Sequence, residues 1–426
     1  MTVAGIFLAL LAMIFVNVPI AVALAVCGVI GILVYEGTSG LISVALDMYG
    51  GATKFSLIAI PMFVLAGAIM NAAGITRRLI EFVSALIGFV RGGLAMVNVG
   101  VSLFFAEISG SAVADVAAMG SVMIPEMKKR GYSAPFAAAV TSSSASLAII
   151  IPPSIPMILY GVTAGASIEQ LFLAGVVPGL IGAAGLMGLC WWFARRYDLP
   201  VEAAFDTRRL RQTFVAALPT FALPVVILGG IFGGFVTATE AAGLAVVASI
   251  VVGLWYRETD LGELRRSMLD GAIQTAVVML LVAASVLMGG FLTRAQIPQE
   301  LADGLLALTQ NRWLILAILN VFFLVIGFFL HSAAAIILVV PIVVPLIEAV
   351  GIDPVHFGLI VTLNLAIGQQ TPPVASVLIT ACSIARANIW DVSKANIGFV
   401  GVLLLVLMLC TYVEAVPMTL VEWVYR

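Results

Sequence analysis

Two polar stretches inside long apolar runs carry side chains of the kind that bind ions. One reads Thr141-Ser142-Ser143-Ser144-Ala-Ser146 and leads to Pro152 and Pro153; the other begins at Asn364 and ends in Gln369-Gln370-Thr371-Pro372-Pro373. Proline removes a backbone donor and disfavours helix in the residue before it. We therefore predict two broken helices that expose carbonyl oxygens and helix ends beside these Ser, Thr, Asn and Gln side chains.

Two further apolar segments are too short to cross a membrane twice. Segment 92–124 gives about 16 residues to each pass, or ~24 Å, against a hydrocarbon core of ~30 Å. Its middle contains Ser109, Gly110 and Ser111, and segment 313–348 has His331 and Ser332 at the corresponding place. We predict that both are re-entrant hairpins with these small polar residues at their turns.

Neutral oxygens at helix breaks suit a hard monovalent cation such as Na⁺, and helix N-termini suit an anion. Every Lys and Arg falls in a loop or at a helix end, so bound cations and amide dipoles would neutralise an anionic substrate. The alternative for either Pro-Pro motif is a kinked helix whose hydroxyls bond back to its own carbonyls. Because Ser142, Ser143 and Ser144 cannot all face one point, only some of them are candidate ligands.

Glu107 and Asp115 lie within the first hairpin. They are candidate cation ligands, proton carriers or partners of helix ends. We favour a structural or accessory role, because the second hairpin places Phe328 and Ile336 near the equivalent positions. The role of His331, ligand or structural, also stays open.

The elements around these residues must be membrane helices. The chain has 426 residues, of which 62% are hydrophobic and 10% charged, with a mean hydropathy of +1.19. A soluble fold is excluded, and continuous apolar runs of 19 residues or more indicate helices rather than a barrel.

The first run has no basic n-region or cleavage site, so we expect no removable signal peptide. Two amphipathic stretches, 79–90 and 298–308, are expected to be connectors or to lie in the membrane interface.

The same pattern occurs twice, about 220 residues apart. Ser111 aligns with Ser332, and Pro152-Pro153 with Pro372-Pro373. If each hairpin returns to its own side, sixteen Lys and Arg residues face one side and four face the other. Basic residues are retained in the cytoplasm, which places both termini outside and the second half inverted relative to the first. The predicted organisation is a first inverted repeat over 1–194 with a broken helix at 135–165, a cytoplasmic linker over 195–213, and a second inverted repeat over 214–426 with a broken helix at 354–384.

Several kinds of chemistry are excluded. A net charge of −2 gives no basic field for nucleic acid, and the four Cys residues lack metal-type spacing. Two His residues are too few for most His-metal sites, and the chain has no phosphate-binding loop. We therefore expect no cofactor other than Na⁺, and we expect no ATP-driven pumping by this chain. An intramembrane enzyme that uses Ser or Asp, or a passive assembly scaffold, remains an alternative.

Motifs in a fixed order along nearly the whole chain resemble those of one transporter family. They are Asn17-Val-Pro19 within 6–36, Ile60-Pro-Met-Phe-Val-Leu-Ala-Gly67, the Ser109-Gly-Ser-Ala112 turn, Met123-Ile-Pro-Glu-Met127 with Lys128 to Gly131, and Ile151-Pro-Pro-Ser154. Together they are similar to the large membrane subunit of TRAP (tripartite ATP-independent periplasmic) transporters. The second hairpin turn, Leu330-His-Ser-Ala333, departs from the Ser-Gly-Ser of the first.

The resemblance implies Na⁺-driven uptake of an organic anion, such as a C4-dicarboxylate or a sugar acid, across the bacterial inner membrane. It implies an elevator mechanism, in which hairpins and broken helices move together against a scaffold. It also implies two partner chains, a small four-helix membrane subunit and a periplasmic substrate-binding protein. A stand-alone divalent-anion/Na⁺ symporter, which needs no binding protein, is the alternative within transport.

Overall fold

The computed structural model describes residues 3–16, 18–199, 201, 204–256 and 261–425; its description of side chains also leaves out positions 3, 4, 11, 15, 107–109, 261, 263 and 267. Within this part of the chain the structure is helical, with three short 3₁₀ segments and no strand. Nine segments of it are long and apolar enough to cross a membrane. The predicted fold class, an all-α polytopic membrane protein, is confirmed.

The described residues form twenty α-helices, ten in each half of the chain. Those of the first half are α1 (Val3–Phe15), α2 (Ile20–Glu36), α3 (Leu41–Ala52), α4 (Ala59–Ala72), α5 (Ile75–Ile87), α6 (Gly93–Ser109), α7 (Ala112–Lys129), α8 (Ala134–Ala145), α9 (Ile155–Ala164) and α10 (Ile168–Arg196). Those of the second half are α11 (Thr207–Phe232), α12 (Ala238–Tyr256), α13 (Leu261–Arg294), α14 (Ile297–Leu308), α15 (Arg312–Phe329), α16 (Ser332–Ala349), α17 (Pro354–Gly368), α18 (Ser376–Ala385), α19 (Ile389–Tyr412) and α20 (Ala415–Tyr425).

Both predicted hairpins and both predicted breaks are present. The pairs α6–α7 and α15–α16 turn at residues 110–111 and 330–331. A 3₁₀ segment and residues 150–154 separate α8 from α9, and residues 369–375 separate α17 from α18. The Pro152-Pro153 and Pro372-Pro373 peptide bonds, both cis, lie inside these breaks. Interrupted helices, rather than merely kinked ones, are therefore what the two Pro-Pro motifs produce.

Two helices, α3 and α20, are not among the elements predicted from the sequence. Helix α3 carries Asp47, which interrupts the apolar run, and α20 carries Glu422. Asp47 accepts a hydrogen bond from Arg294 at 2.6 Å, and Glu36 lies 3.5 Å from the same guanidinium. Arg294 thus joins the end of α13 to α2 and α3. A charged residue at the end of an apolar run therefore holds three helices together.

Helix packing is reciprocal between the two halves. Helix α4 packs on α12 as α13 packs on α2, and α18 packs on α7 as α9 packs on α16. The centre, where the halves meet, is formed by α4 against α13 and by α10 against α19. Two copies of one unit would pack in this way. The exact bounds of the two repeats and their inversion across the membrane stay predictions.

Helix α15, the first arm of the second hairpin, lies unusually close to α17, the first part of the second broken helix. A Cβ atom built on Gly368 would lie 2.6 Å from the Cα of Gly327, and one built on Gly327 would lie 3.1 Å from the Cα of Gly368. Small residues at helix interfaces allow backbones to approach in membranes. This glycine pair fixes α15 against the end of α17, where the break begins.

We expect Gly368→Ala to destabilise the protein by about 1–3 kcal/mol, because the added methyl group forces two backbones apart. Gly401→Ala is the matched control, since a Cβ at Gly401 meets no atom within 4 Å. Thermal unfolding of the detergent-purified protein measures both. Equal midpoints for the two variants would show that the Gly327–Gly368 approach is not required.

Candidate substrate and cation site

Each hairpin tip bonds to the broken helix of its own half. The first tip turns at Gly110, whose φ of 57° lies in the left-handed region, and the Gly110 carbonyl accepts a bond from the Ile155 amide at 3.4 Å. In the second half the Val374 amide donates to the Phe328 carbonyl at 3.2 Å. Backbone groups that the hairpins and breaks leave without helical partners therefore satisfy each other.

The side chains at each break stabilise the helix that follows. The Ser154 hydroxyl accepts a bond from the Met157 amide at 3.4 Å and donates to the Ile149 carbonyl at 2.5 Å, which caps α9. At the second break the Gln369 carbonyl accepts from the Val377 amide at 3.2 Å, and its side-chain oxygen accepts from Ser376 at 3.4 Å. Gln369 thus bridges the gap between α17 and α18.

A buried polar network joins the two broken helices to each other. The Ser143 hydroxyl lies 2.9 Å from Gln370 Oε1 and 2.5 Å from Asn396 Oδ1, and Asn396 Nδ2 donates to Gln370 Oε1 at 3.1 Å. Gln370 Nε2 donates to the Ser146 hydroxyl. Ser143 and Gln370, two candidate ligands, are therefore brought together, but they bond to each other across the two halves.

Three other candidates of the broken helices bond to protein groups outside this network. Ser142 and Thr371 donate to the backbone carbonyls of Ala139 and Ile367, at 3.1 and 3.2 Å, as hydroxyls in kinked helices do. Asn364 donates from Nδ2 to Asn320 Oδ1 at 2.7 Å, while its own Oδ1 is buried with no hydrogen-bond partner. Pro152 and Pro372 shape the breaks but do not line the central cavity.

A cavity of about 730 Å³ lies between the two hairpin tips. It brings together five of the sequence-predicted residues: Gly110, Ser111, His331, Ser332 and Gln369. Three helices begin at its wall, α7 at Ala112, α9 at Ile155 and α16 at Ser332. The free N–H groups at the N-termini of α7 and α16, and the dipoles of all three helices, favour an anion in the cavity.

The opposite wall was missed by sequence reasoning. It consists of α4, the start of α5 and α13, with the polar side chains of Asn71, Arg77, Asp270 and Gln274. These residues are exposed in the structure, and Arg77 also pairs with Glu81 at 3.1 Å. No motif marks them in the sequence, because single polar residues at the ends of apolar helices are ordinary. The equivalent positions of α4 and α13 in the two halves are the only feature that could have identified the residues of this wall.

Asp115 is fully buried on the first hairpin, one turn beyond its tip. Neither carboxylate oxygen forms a hydrogen bond of normal geometry with a described residue. The Ser102 hydroxyl lies beside this carboxyl group and donates to Ser144 at 2.9 Å. The side chains of Glu107 and Ser109 lie outside the described residues.

The comparison with a family model decides which transporter family this is. A model of the tripartite ATP-independent periplasmic transporter, DctM component, matches residues 7–416. The chain belongs to the DctM family. It is the large permease component of a TRAP transporter, a multi-pass protein of the inner membrane rather than an enzyme, and the resemblance seen in the sequence is confirmed.

Curated relatives cover most of the chain. It is 37% identical to the C4-dicarboxylate TRAP transporter large permease protein DctM of Pseudomonas aeruginosa, over 94% of each chain. It is 36% identical to the sialic acid permease SiaM of Vibrio cholerae, over 86% of each. The isethionate permease DctMQ of Oleidesulfovibrio alaskensis is 38% identical over 95% of this chain, which spans 64% of that relative's length.

A solved structure supports the fold of this DctM protein. The Alcanivorax borkumensis YdaH transporter superposes with a TM-score of 0.65 at 15% sequence identity, over 88% of this chain and 89% of that one. At this identity the likeness concerns the fold alone. The arrangement of hairpins and broken helices thus has a counterpart in a solved transporter.

We expect Gly110→Ala to reduce uptake by more than tenfold (a loss of about 1.4 kcal/mol or more in transition-state stabilisation). The methyl group would meet the Pro153 carbonyl oxygen at 3.0 Å and the Ile155 amide at 3.2 Å, which would displace the tip from the break. Gly165→Ala is the control, because Gly165 has a φ of 69° but open space around it. Uptake into proteoliposomes is measured for both variants. An equal loss of uptake in both would show that backbone strain alone causes the effect.

Proposed function

We propose that this DctM protein takes up an organic anion, of the C4-dicarboxylate or sugar acid class, in symport with Na⁺. The observation that carries the proposal is the single cavity shared by both hairpin tips and by the N-termini of α7, α9 and α16. Its volume of about 730 Å³ lies within the range of small-molecule sites. Relatives named for C4-dicarboxylate, 2,3-diketo-L-gulonate, sialic acid and isethionate support an anionic substrate.

The anion-binding groups in this cavity are almost all neutral. Ser111, Ser332, His331 and the first-turn amides lie at the tips, and Arg77 is a cationic side chain at the far wall. Such a site binds an anion by hydrogen bonds and dipoles, and a co-bound cation would strengthen that binding. Because the cavity offers little positive charge, we expect binding of the anion to depend on Na⁺.

The first hairpin has a site that suits the coupling ion. The carboxyl oxygens of Asp115, which form no hydrogen bond of normal geometry with a described residue, and the nearby hydroxyls of Ser102 and Ser144 are of the hard oxygen type that Na⁺ prefers. An unneutralised carboxylate inside a membrane is costly, and a bound Na⁺ would remove that cost. In the second half Ile336 occupies the position equivalent to Asp115. There Asn364, with its unpartnered Oδ1, is the residue that offers an oxygen.

Packing supports an elevator mechanism. The hairpins and broken helices contact one another extensively, through α7–α8, α7–α18, α9–α16 and α15–α17. Helices α2, α3, α4, α12 and α13 form a second group. The cavity lies where the two groups meet. A rigid movement of the first group against the second would carry the site across the membrane.

The charge distribution supports the predicted orientation, with both termini in the periplasm. Arg77 lines the cavity and belongs to the predicted cytoplasmic set, and Asp270, at the start of the apolar part of α13, also lines the cavity. We assign this conformation to the inward-facing state on that basis. The partners in this proposal are a small four-helix membrane subunit and a periplasmic substrate-binding protein that delivers the anion.

The coupling test is uptake into proteoliposomes that contain the permease, its small subunit and the loaded binding protein. We expect an imposed inward Na⁺ gradient to accelerate uptake at least tenfold over equal Na⁺ on both sides, because ion entry drives substrate entry. Uptake that is indifferent to the gradient would contradict Na⁺ coupling. Full uptake without the binding protein would instead support a stand-alone divalent-anion/Na⁺ symporter.

Asp115→Asn tests the cation site. We expect the half-saturating Na⁺ concentration to rise by about tenfold or more, since loss of a charge-assisted ligand costs about 1.5–3 kcal/mol. The dependence of uptake on binding-protein concentration should not change. Glu126→Gln, a change at a half-buried carboxylate on the same helix, is the control. If the two variants share the wild-type Na⁺ dependence, Asp115 is not a cation ligand.

A further inference from the structure

Six arginines gather at one corner of the molecule, where the two halves are joined. The corner comprises residues 88–92 before α6, the end of α10 from Trp191, and the linker up to residue 211 in α11. It contains Arg91, Arg195, Arg196, Arg208, Arg209 and Arg211, against three acidic residues and no lysine. Lysines of the same predicted side, Lys128, Lys129 and Lys394, belong to other segments.

Contacts between these segments hold the corner together. The rings of Phe89 and Phe205 meet edge to face at 5.1 Å, and Arg91 forms an isolated bridge with Val201. The Arg91 guanidinium donates to Asp198 at 2.8 Å. Asp206 accepts from the Arg208 amide at 2.8 Å and so caps α11. The two acidic residues that the structure describes here are therefore already engaged.

Two guanidinium groups lie above neighbouring indole rings at the end of α10. The Cζ atom of Arg195 is 4.0 Å from the centroid of the Trp191 ring, and that of Arg196 is 5.2 Å from the Trp192 ring. Both tryptophans are partly exposed, by 38% and 46%. Cation–π contact positions the arginines while leaving their N–H donors free for another partner.

This arrangement has the layering of a membrane interface. Exposed apolar residues, Leu180 on α10 and Phe214, Val215 and Leu218 on α11, lie on the hydrocarbon side of the tryptophans. Tryptophan rings prefer the headgroup level, and arginines beyond them reach the phosphates. No acidic side chain among the described residues forms an ion pair with Arg195, Arg196, Arg208, Arg209 or Arg211.

We propose that this corner is a binding site for the phosphate headgroup of an anionic phospholipid. The guanidinium group of arginine can donate two parallel hydrogen bonds to phosphate oxygens, which the ammonium group of lysine does not do. All the basic residues of this corner are arginines. A phosphodiester above the two indoles would accept from Arg195 and Arg196, with α11 supplying further arginines. Its acyl chains would lie along the exposed apolar faces of α10 and α11. The lipid would thereby join the linker between the halves to the loop that leads into the first hairpin.

The test uses the purified permease with its small subunit, stripped of lipid. Native mass spectrometry measures retention of added phosphatidylglycerol, with phosphatidylcholine and inorganic phosphate as parallel probes. We expect the double variant Arg195→Gln/Arg196→Gln to bind phosphatidylglycerol about tenfold more weakly than wild type, since each arginine near an anionic lipid contributes to affinity. Phosphatidylcholine binding should be equal in both.

The matched control is Arg265→Gln/Arg266→Gln, an exposed arginine pair at the same predicted side on α13. It should retain phosphatidylglycerol as wild type does. Equal retention in all three proteins, or equal loss in both double variants, would overturn the site. Inorganic phosphate that competes as well as the lipid would overturn the lipid assignment. Release of the small subunit from the Arg195/Arg196 variant would instead identify a subunit contact and would also overturn it.

Discussion

Backbone amides and carbonyls that lie within a membrane need partners, and the centre of this protein is organised by that requirement. Two hairpins and two breaks leave such groups without helical bonds. The tips and breaks supply the partners: Gly110 accepts from Ile155, Phe328 accepts from Val374, and Ser154 caps α9. Groups left over at the helix N-termini face the cavity, where a ligand can take the place of a protein partner. The candidate site is thus a consequence of how the interrupted helices are stabilised.

The same requirement explains why the two halves depend on each other. Ser143 of the first break bonds to Gln370 and Asn396 of the second half, and Ser146 completes the network. A buried network of this kind is stable only when every member is satisfied. Neither broken helix can therefore move far without the other. Asp115 is the exception, a buried carboxyl group without a hydrogen bond of normal geometry to a described residue, and it is the residue that we propose as a ligand of the coupling ion.

Sequence reasoning located the broken helices because proline and charge act locally. The runs around Pro152-Pro153 and Pro372-Pro373, and the Ser109-Gly-Ser turn, predicted the breaks and hairpins within a few residues. It missed α3 and α20, since Asp47 and Glu422 look like loop charges until their three-dimensional neighbours are known. It also could not separate ligands from structural residues. Ser143 and Gln370 are as polar as Ser111 and Gln369, but only the latter pair lines the cavity. That difference, like the far wall with Asn71 and Gln274, depends on long-range packing.

In the proposed elevator mechanism, the hairpins and broken helices move as one group past α4 and α13. The most direct measurement is the distance between spin labels at Ala118→Cys on α7 and Gln274→Cys on α13, with the four native cysteines replaced and the transporter in lipid. Both positions line the cavity. We expect two distance populations whose ratio shifts when Na⁺ and substrate are added, while a pair within the moving group, Ala118→Cys with Thr380→Cys, keeps one distance. A single unchanging distance between α7 and α13 under all conditions would contradict it.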